Sequence, residues 1–200
     1  MASFATLKSL SDVKKYQSPY QILREFINYI IASDSLYSFS AVEMKNCLNS
    51  HFSFSIPEAV IKTALKNMPS ANLTDGIYTI SKADLRSDEL FEKTKREADE
   101  YETRIIQQLS EYISVRTGNN TISDEILSQE LTCFLVEDVS SHSTKCAEFI
   151  GEFVLKNEQT KEIQECLNKI RQGSILYIGL SHSIGETGSI AKPLTLYLGT

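Results

Sequence analysis

Cysteine, histidine, glycine and proline are scarce in this chain: 4, 3, 8 and 4 residues in 200. The cysteines, Cys47, Cys133, Cys146 and Cys166, lie far apart and form no CxxC pair. Zinc ribbons and disulfide frameworks need clustered cysteines, so buried reduced thiols and a cytoplasmic setting are expected. The histidines, at positions 51, 142 and 182, are separated by 91 and 40 residues, which gives no metal-ligand spacing on any one element. His182 stands between Ser181 and Ser183, and His142 between Ser141 and Ser143. Neighbours on a loop do not supply the nucleophile, base and orienting group of a hydrolase, and no G-x-S-x-G elbow is present. Gly179, Gly185 and Gly188 lack the G-K-[ST] ending of a phosphate-binding loop. No apolar run is long enough to cross a bilayer, and residues 1–16 lack the apolar core and cleavage site of a signal peptide. The expectation is a non-enzymatic protein with no catalytic, metal or cofactor residues and no membrane partner.

What is present is an ordinary globular composition, 42% hydrophobic, with an uneven charge of −6. Residues 1–86 hold nine Lys and Arg against seven Asp and Glu, a balance of +2. Residues 87–200 hold eleven against nineteen, a balance of −8. Any contact with nucleic acid therefore belongs to the first half.

The most informative stretch is Ser55 to Ser81. Ser55 and Glu58 have capping-box spacing, and Pro57 suits a first helical turn. Val60, Ile61, Ala64, Leu65 and Met68 recur at helical spacing as a core stripe, and Pro69 stops the helix. Its opposite face carries Glu58, Lys62, Thr63, Lys66 and Asn67. Asp75-Gly76, between the short segments from Asn72 and to Ile80, signals a hairpin, because a type I′ turn needs positive φ at both central residues. Two further capping boxes precede this unit. Ser18-Pro19-Tyr20-Gln21 opens a helix to about Ala32 with Tyr20, Leu23, Ile27, Ile30 and Ile31 on one side. Ser40-Ala41-Val42-Glu43 opens another that buries Val42, Met44, Cys47 and Leu48, after a short strand over Leu36 to Phe39.

The order helix, strand, helix, helix, hairpin over residues 18–82 resembles the winged helix-turn-helix superfamily. That resemblance implies that Ser55–Met68 occupies the recognition-helix position and Thr74–Ile77 the wing tip. It also implies contact with DNA, RNA or protein, all of which occur among its members. For a nucleic-acid-binding role the candidate residues are Lys62, Thr63, Lys66 and Asn67. The acidic wing tip, with Asp75 and no Lys or Arg, departs from the DNA-binding pattern, and Glu58 stands one turn before Lys62 and can pair with it.

Residues 1–17 read as a short helix over Leu7 to Tyr16 or a loose arm. From Ser87 to Arg116 there is no Pro or Gly, and Phe91, Thr94, Ala98, Tyr101, Ile105 and Tyr112 follow a seven-residue pattern. This long connecting helix could pack in an intrachain bundle or form a homodimer seam; the short, impure heptad favours the bundle. Three more helices are expected, Ser123 to about Glu137, Ser143 to about Lys156 and Thr160 to Gln172, with Gly173 as the last one's stop. Their core candidates are Cys133, Phe134, Phe149, Phe153, Ile163, Cys166, Leu167 and Ile170. Ser174–Ile178 and Leu194–Leu198 then read as two strands around a Gly/Ser-rich loop. The ending LTLYLGT resembles the first strand of PIN-like ribonucleases, with Gly199 where that family has a metal-binding Asp. This second resemblance implies an accessory N-terminal segment of a nuclease.

The expected fold class is mainly α (α+β). It comprises an N-terminal arm (1–17), a winged-helix domain (18–86), a helical domain begun by the long connecting helix (87–173) and a small C-terminal β pair (174–200). The expected function is a binding or regulatory protein whose winged unit contacts nucleic acid. The alternatives are a protein-interaction or assembly module that does not bind DNA, and the nuclease accessory segment.

Overall fold

The structure is a computed structural model that describes residues 4–14, 16, 18–81, 88–118, 122–136 and 145–182. It is mainly helical with one small antiparallel sheet. Helix α1 (Phe4–Lys14) precedes α2 (Pro19–Ser33), β1 (Ser38–Ser40), α3 (Ala41–Phe52) and α4 (Glu58–Lys66). The hairpin β2 (Ala71–Thr74) and β3 (Ile77–Ile80) follows. The chain continues as α5 (Glu89–Thr117), α6 (Asp124–Val136), α7 (Lys145–Lys156) and α8 (Lys161–His182). The expected strand 194–198 and the sequence around Gly199 lie outside the described residues, as does His142.

Local signals build the first half. Pro19 fixes the first turn of α2, although the Ser18 side chain makes no cap bond. Ile22, Leu23, Phe26, Ile27, Ile30 and Ile31 give α2 a buried face wide enough to serve as the central helix. The Ser40 box forms in full: its hydroxyl accepts from the Glu43 amide, and the Glu43 carboxylate accepts from the Ser40 amide at 2.6 Å. These bonds hold the Glu43 carboxyl below its usual range. Asp75 (φ 51°) and Gly76 (φ 82°) supply the left-handed pair that closes the hairpin. The sheet order is β1-β3-β2, with Phe39 opposite Tyr78 and Leu73 on the far side of Tyr78. Phe39, Tyr78 and Ile80 point inward onto the core of α2, α3 and α4.

Three expectations fail here for identifiable reasons. The Ser55 capping box does not form: Pro57, extended at φ −60° and ψ 141°, is the N-cap of α4, two residues beyond Ser55. The Ser55 amide instead donates to the Tyr177 hydroxyl at 3.0 Å. Val42 is half exposed, because the first turn of α3 turns that position away from the core. The strand expected at 174–178 is helix, and Gly173 stops nothing. A Cβ at Gly173 would lie 1.9 Å from the carbonyl oxygen of Phe4, so glycine is there to let α1 and α8 touch backbone to backbone.

The N-terminal segment is thus a helix built into the fold. Phe4, Leu7 and Leu10 of α1 belong to the core of the first half, while Ala5 belongs to a second core made by α5, α6, α7 and α8. At its far end, Lys14 forms ion pairs with Glu25 of α2 (3.1 Å) and with Asp88, the N-cap of α5. The long helix packs within the chain, against α1, α6, α7 and α8. Its buried stripe runs Phe91, Thr94, Ala98, Glu102, Ile105, Leu109 and Ile113. Tyr101, expected in that stripe, lies beside it on the surface with the Arg104 guanidinium over its ring at 4.8 Å. The position one residue on is taken by a carboxylate. Glu102 is 3% exposed, and the Ser128 hydroxyl donates to its Oε1 at 3.3 Å.

Burial, and then the charge of Asp99, push the Glu102 carboxyl up to about 7 against the Ser128 hydrogen bond. Because the folded value lies above the unfolded one of about 4.3, the fold holds a proton that the unfolded chain releases. That contribution is complete below the unfolded pKa and is lost as pH rises through the folded one. Glu102→Gln should therefore match the wild type near pH 4 and exceed it at pH 8 by about 3 kcal/mol. Urea denaturation across that range measures the gap, and a gap independent of pH would refute the assignment. Gly173→Ala, which must drive α1 off α8, should cost about 3 kcal/mol. A loss below about 1 kcal/mol would show that α1 can shift freely.

Candidate nucleic-acid interface

Helix α4 buries Val60, Ile61, Ala64 and Leu65 completely, which leaves one outward face for contact. The four candidate residues share that face or the turn that ends it, so the structure brings them together. Their chemistry is largely committed to the helix itself. Lys62 Nζ pairs with Glu58 Oε1 at 2.6 Å, and hydrogen bonding to Glu58 raises the lysine pKa. The Thr63 hydroxyl donates to the Ala59 carbonyl at 2.9 Å, and the Asn67 amide donates to the Thr63 carbonyl at 3.1 Å. The Asn67 carbonyl in turn accepts from the Arg24 guanidinium, which ties the end of α4 to α2. Lys66 is exposed and, among the described residues, makes no ion pair.

The hairpin beside α4 adds no cation. Its tip is Asp75-Gly76, flanked by Leu73 (59% exposed) and Ile77 (38% exposed). The outward side of the sheet carries Asn72, Thr74, Ile77 and Thr79 with Ser38 and Ser40 opposite them, a hydroxyl-rich surface with one apolar side chain. Lys45 on α3 is exposed as well. Of the lysines on α4 itself, Lys66 alone is thus without an ion pair among the described residues, where a phosphate-reading surface usually offers several cations.

The other residues singled out from the sequence stay apart. His51 Nε2 lies 2.9 Å from Asp34 Oδ2 on the surface. Cys47 precedes His51 by one turn of α3, but burial, with Asp34 and Glu43 nearby, raises its thiol pKa and disfavours the thiolate a metal would need. Ser181 Oγ and His182 Nδ1 lie 3.1 Å apart at the end of α8, and both reach the Ile178 carbonyl. Among the described residues Cys47, Cys146 and Cys166 are free thiols, and no group of three metal-ligating side chains comes together. No described helix is long and apolar enough to cross a membrane. In comparisons with known proteins, no family model, curated protein or solved structure matches the chain.

If Glu58 neutralises Lys62, then removing it should unmask the lysine. Glu58→Gln is expected to tighten low-salt binding to random duplex DNA and to steepen the log–log salt slope by about one unit. Fluorescence anisotropy reads both quantities, and an unchanged slope would mean that Lys62 is not held back by its neighbour.

Proposed function

We propose that residues 18–81 form a winged-helix unit and that the chain is a non-enzymatic interaction protein whose α4–hairpin face contacts another protein. The element order α2-β1-α3-α4-β2-β3 and the sheet order β1-β3-β2 support the winged-helix reading. One observation carries the choice of partner class: the outward face of α4 is charge-neutralised by the Glu58–Lys62 pair, while the adjacent hairpin tip exposes Leu73 on one side and Ile77 on the other. Exposed apolar side chains beside paired charges suit a protein surface, whereas phosphate contact requires net positive charge. Lys66 favours the second reading, contact with nucleic acid, because it is exposed on α4 and makes no ion pair among the described residues.

Anisotropy with duplex DNA and RNA across a salt series separates the two. The wild type is expected to bind either only weakly at low salt, with a Lys62→Glu/Lys66→Glu double variant altering this little. Tight, salt-steep binding that the double variant abolishes would overturn the protein-contact reading. Conversely, a Leu73→Ser/Ile77→Ser variant should lose at least about tenfold in affinity for any partner of this face. Unchanged affinity would place the contact elsewhere.

A further inference from the structure

Between the two cores lies a cleft of about 590 Å³. One wall is a single face of α6: Glu125, Ser128, Gln129, Thr132 and Cys133, at successive helical turns. The opposite wall is aromatic, formed by Phe4 and Tyr177, whose rings lie 5.3 Å apart, with Ser53 beside them. The volume is in the range that holds a small molecule.

The hydrogen bonds already made by the polar wall decide what it can accept. The Ser128 hydroxyl proton is directed inward to Glu102, and the Thr132 hydroxyl proton to the Ser128 carbonyl at 2.8 Å. Both hydroxyls therefore offer lone pairs to the cleft. Glu125 adds a carboxylate, and Gln129 an amide oxygen. Among the described residues no lysine or arginine lines the cleft. Acceptors and a carboxylate on one side, with aromatic rings on the other, match a donor-rich cation with an apolar body.

We propose that this cleft binds a small organic cation, a primary amine or guanidinium on a short apolar body, and that its occupancy is transmitted to the start of α4. The route is short. Tyr177 lines the cleft and also accepts the Ser55 amide proton, two residues before the N-cap of α4, while its ring lies 5.3 Å from Phe54. A ligand against the Tyr177 ring shifts the group that holds this amide. A regulatory role for the site rests on the reading of α4 as the contact helix; the site itself does not.

The test is an NMR titration of the ¹⁵N-labelled full chain at pH 8, where Glu102 is ionised. The probes are phenethylamine and agmatine, with phenylacetate as the anion of matching body. Both cations are expected to shift the Gln129 and Tyr177 amides saturably, with a Kd of about 1 mM or tighter. Phenylacetate should shift neither. Glu125→Gln should weaken the cations at least about threefold. The Ser55 amide should follow the cations with the same Kd as Gln129. Absence of saturable shifts up to about 10 mM would overturn the site. An equal response to phenylacetate, or undiminished binding by Glu125→Gln, would overturn the cationic class. A Ser55 amide that stays still while Gln129 and Tyr177 saturate would overturn the coupling. If the cations bind as expected but the α4–hairpin face proves to have no partner, the cleft stands and only its regulatory meaning falls.

Discussion

The backbone contact between Phe4 and Gly173 is the constraint on which the rest of the arrangement depends. It lets α1 sink between the two cores so that Phe4, Leu7 and Leu10 serve the first and Ala5 the second. From Phe4 a chain of ring contacts runs through Phe54 and Phe26 to Phe52, Phe91 and Tyr29, at centroid distances of 4.8 to 6.4 Å. Such aromatic clusters bury large areas in fixed geometry. This one joins α1, α2, the α3–α4 link and the start of α5. Lys14, at the opposite end of α1, links α2 to the N-cap of α5 through two carboxylates. Burial alone would lower the Lys14 pKa, but the hydrogen bonds its ammonium donates to Asp88 and Glu25 outweigh it and raise it. Asp88 is held below its usual range by Lys14 and by the Phe91 and Leu90 amides, despite its burial. One short helix therefore fixes the position of three others, α2, α5 and α8.

What could be read in the sequence divides along the same line. The hairpin at Asp75-Gly76, the Ser40 box, the inward stripe of α4 and the paired Ile and Leu positions of α2 are set by residues within a few positions of each other. All of them form as expected. The long helix was legible from its missing breakers, but one position of its stripe was not. Periodicity places residue 102 in line with Ala98 and Ile105, and its identity as a carboxylate directs attention to Tyr101 instead, since unpaired Glu is rarely buried. The buried partner that makes Glu102 tolerable, Ser128, comes from another helix.

The errors at Ser55 and at 173–178 have a common origin in long-range contact. Ser55 followed by Glu58 has the spacing of a capping box, yet its amide goes to a hydroxyl 122 positions away. A glycine followed by Ser-Ile-Leu-Tyr-Ile has the composition of a helix stop and a strand. Glycine is permissive at both a helix end and a close backbone approach, and only the neighbour at Phe4 decides between them. Once α1 is in place, the face formed by Gly173, Ser174, Tyr177 and Leu180 is buried or half-buried at helical spacing, and tertiary packing overrides the β-propensity of the run.

The same packing bears on how the halves relate in function. Composition suggests a boundary between a weakly basic first half and an acidic second half. Leu180, Leu176 and Tyr177 of α8 nevertheless pack into the first core, as does Phe91 of α5. The start of α4 is held from α8 rather than by its own cap. The surface that α4 presents is consequently a property of both halves, and a fragment ending before α5 would lose Phe91, α8 and the seat of α1 together. The acidic helices therefore frame the seat of α4, and Tyr177 joins α8 to the segment just before it through one hydrogen bond, to Ser55, and one ring contact, with Phe54.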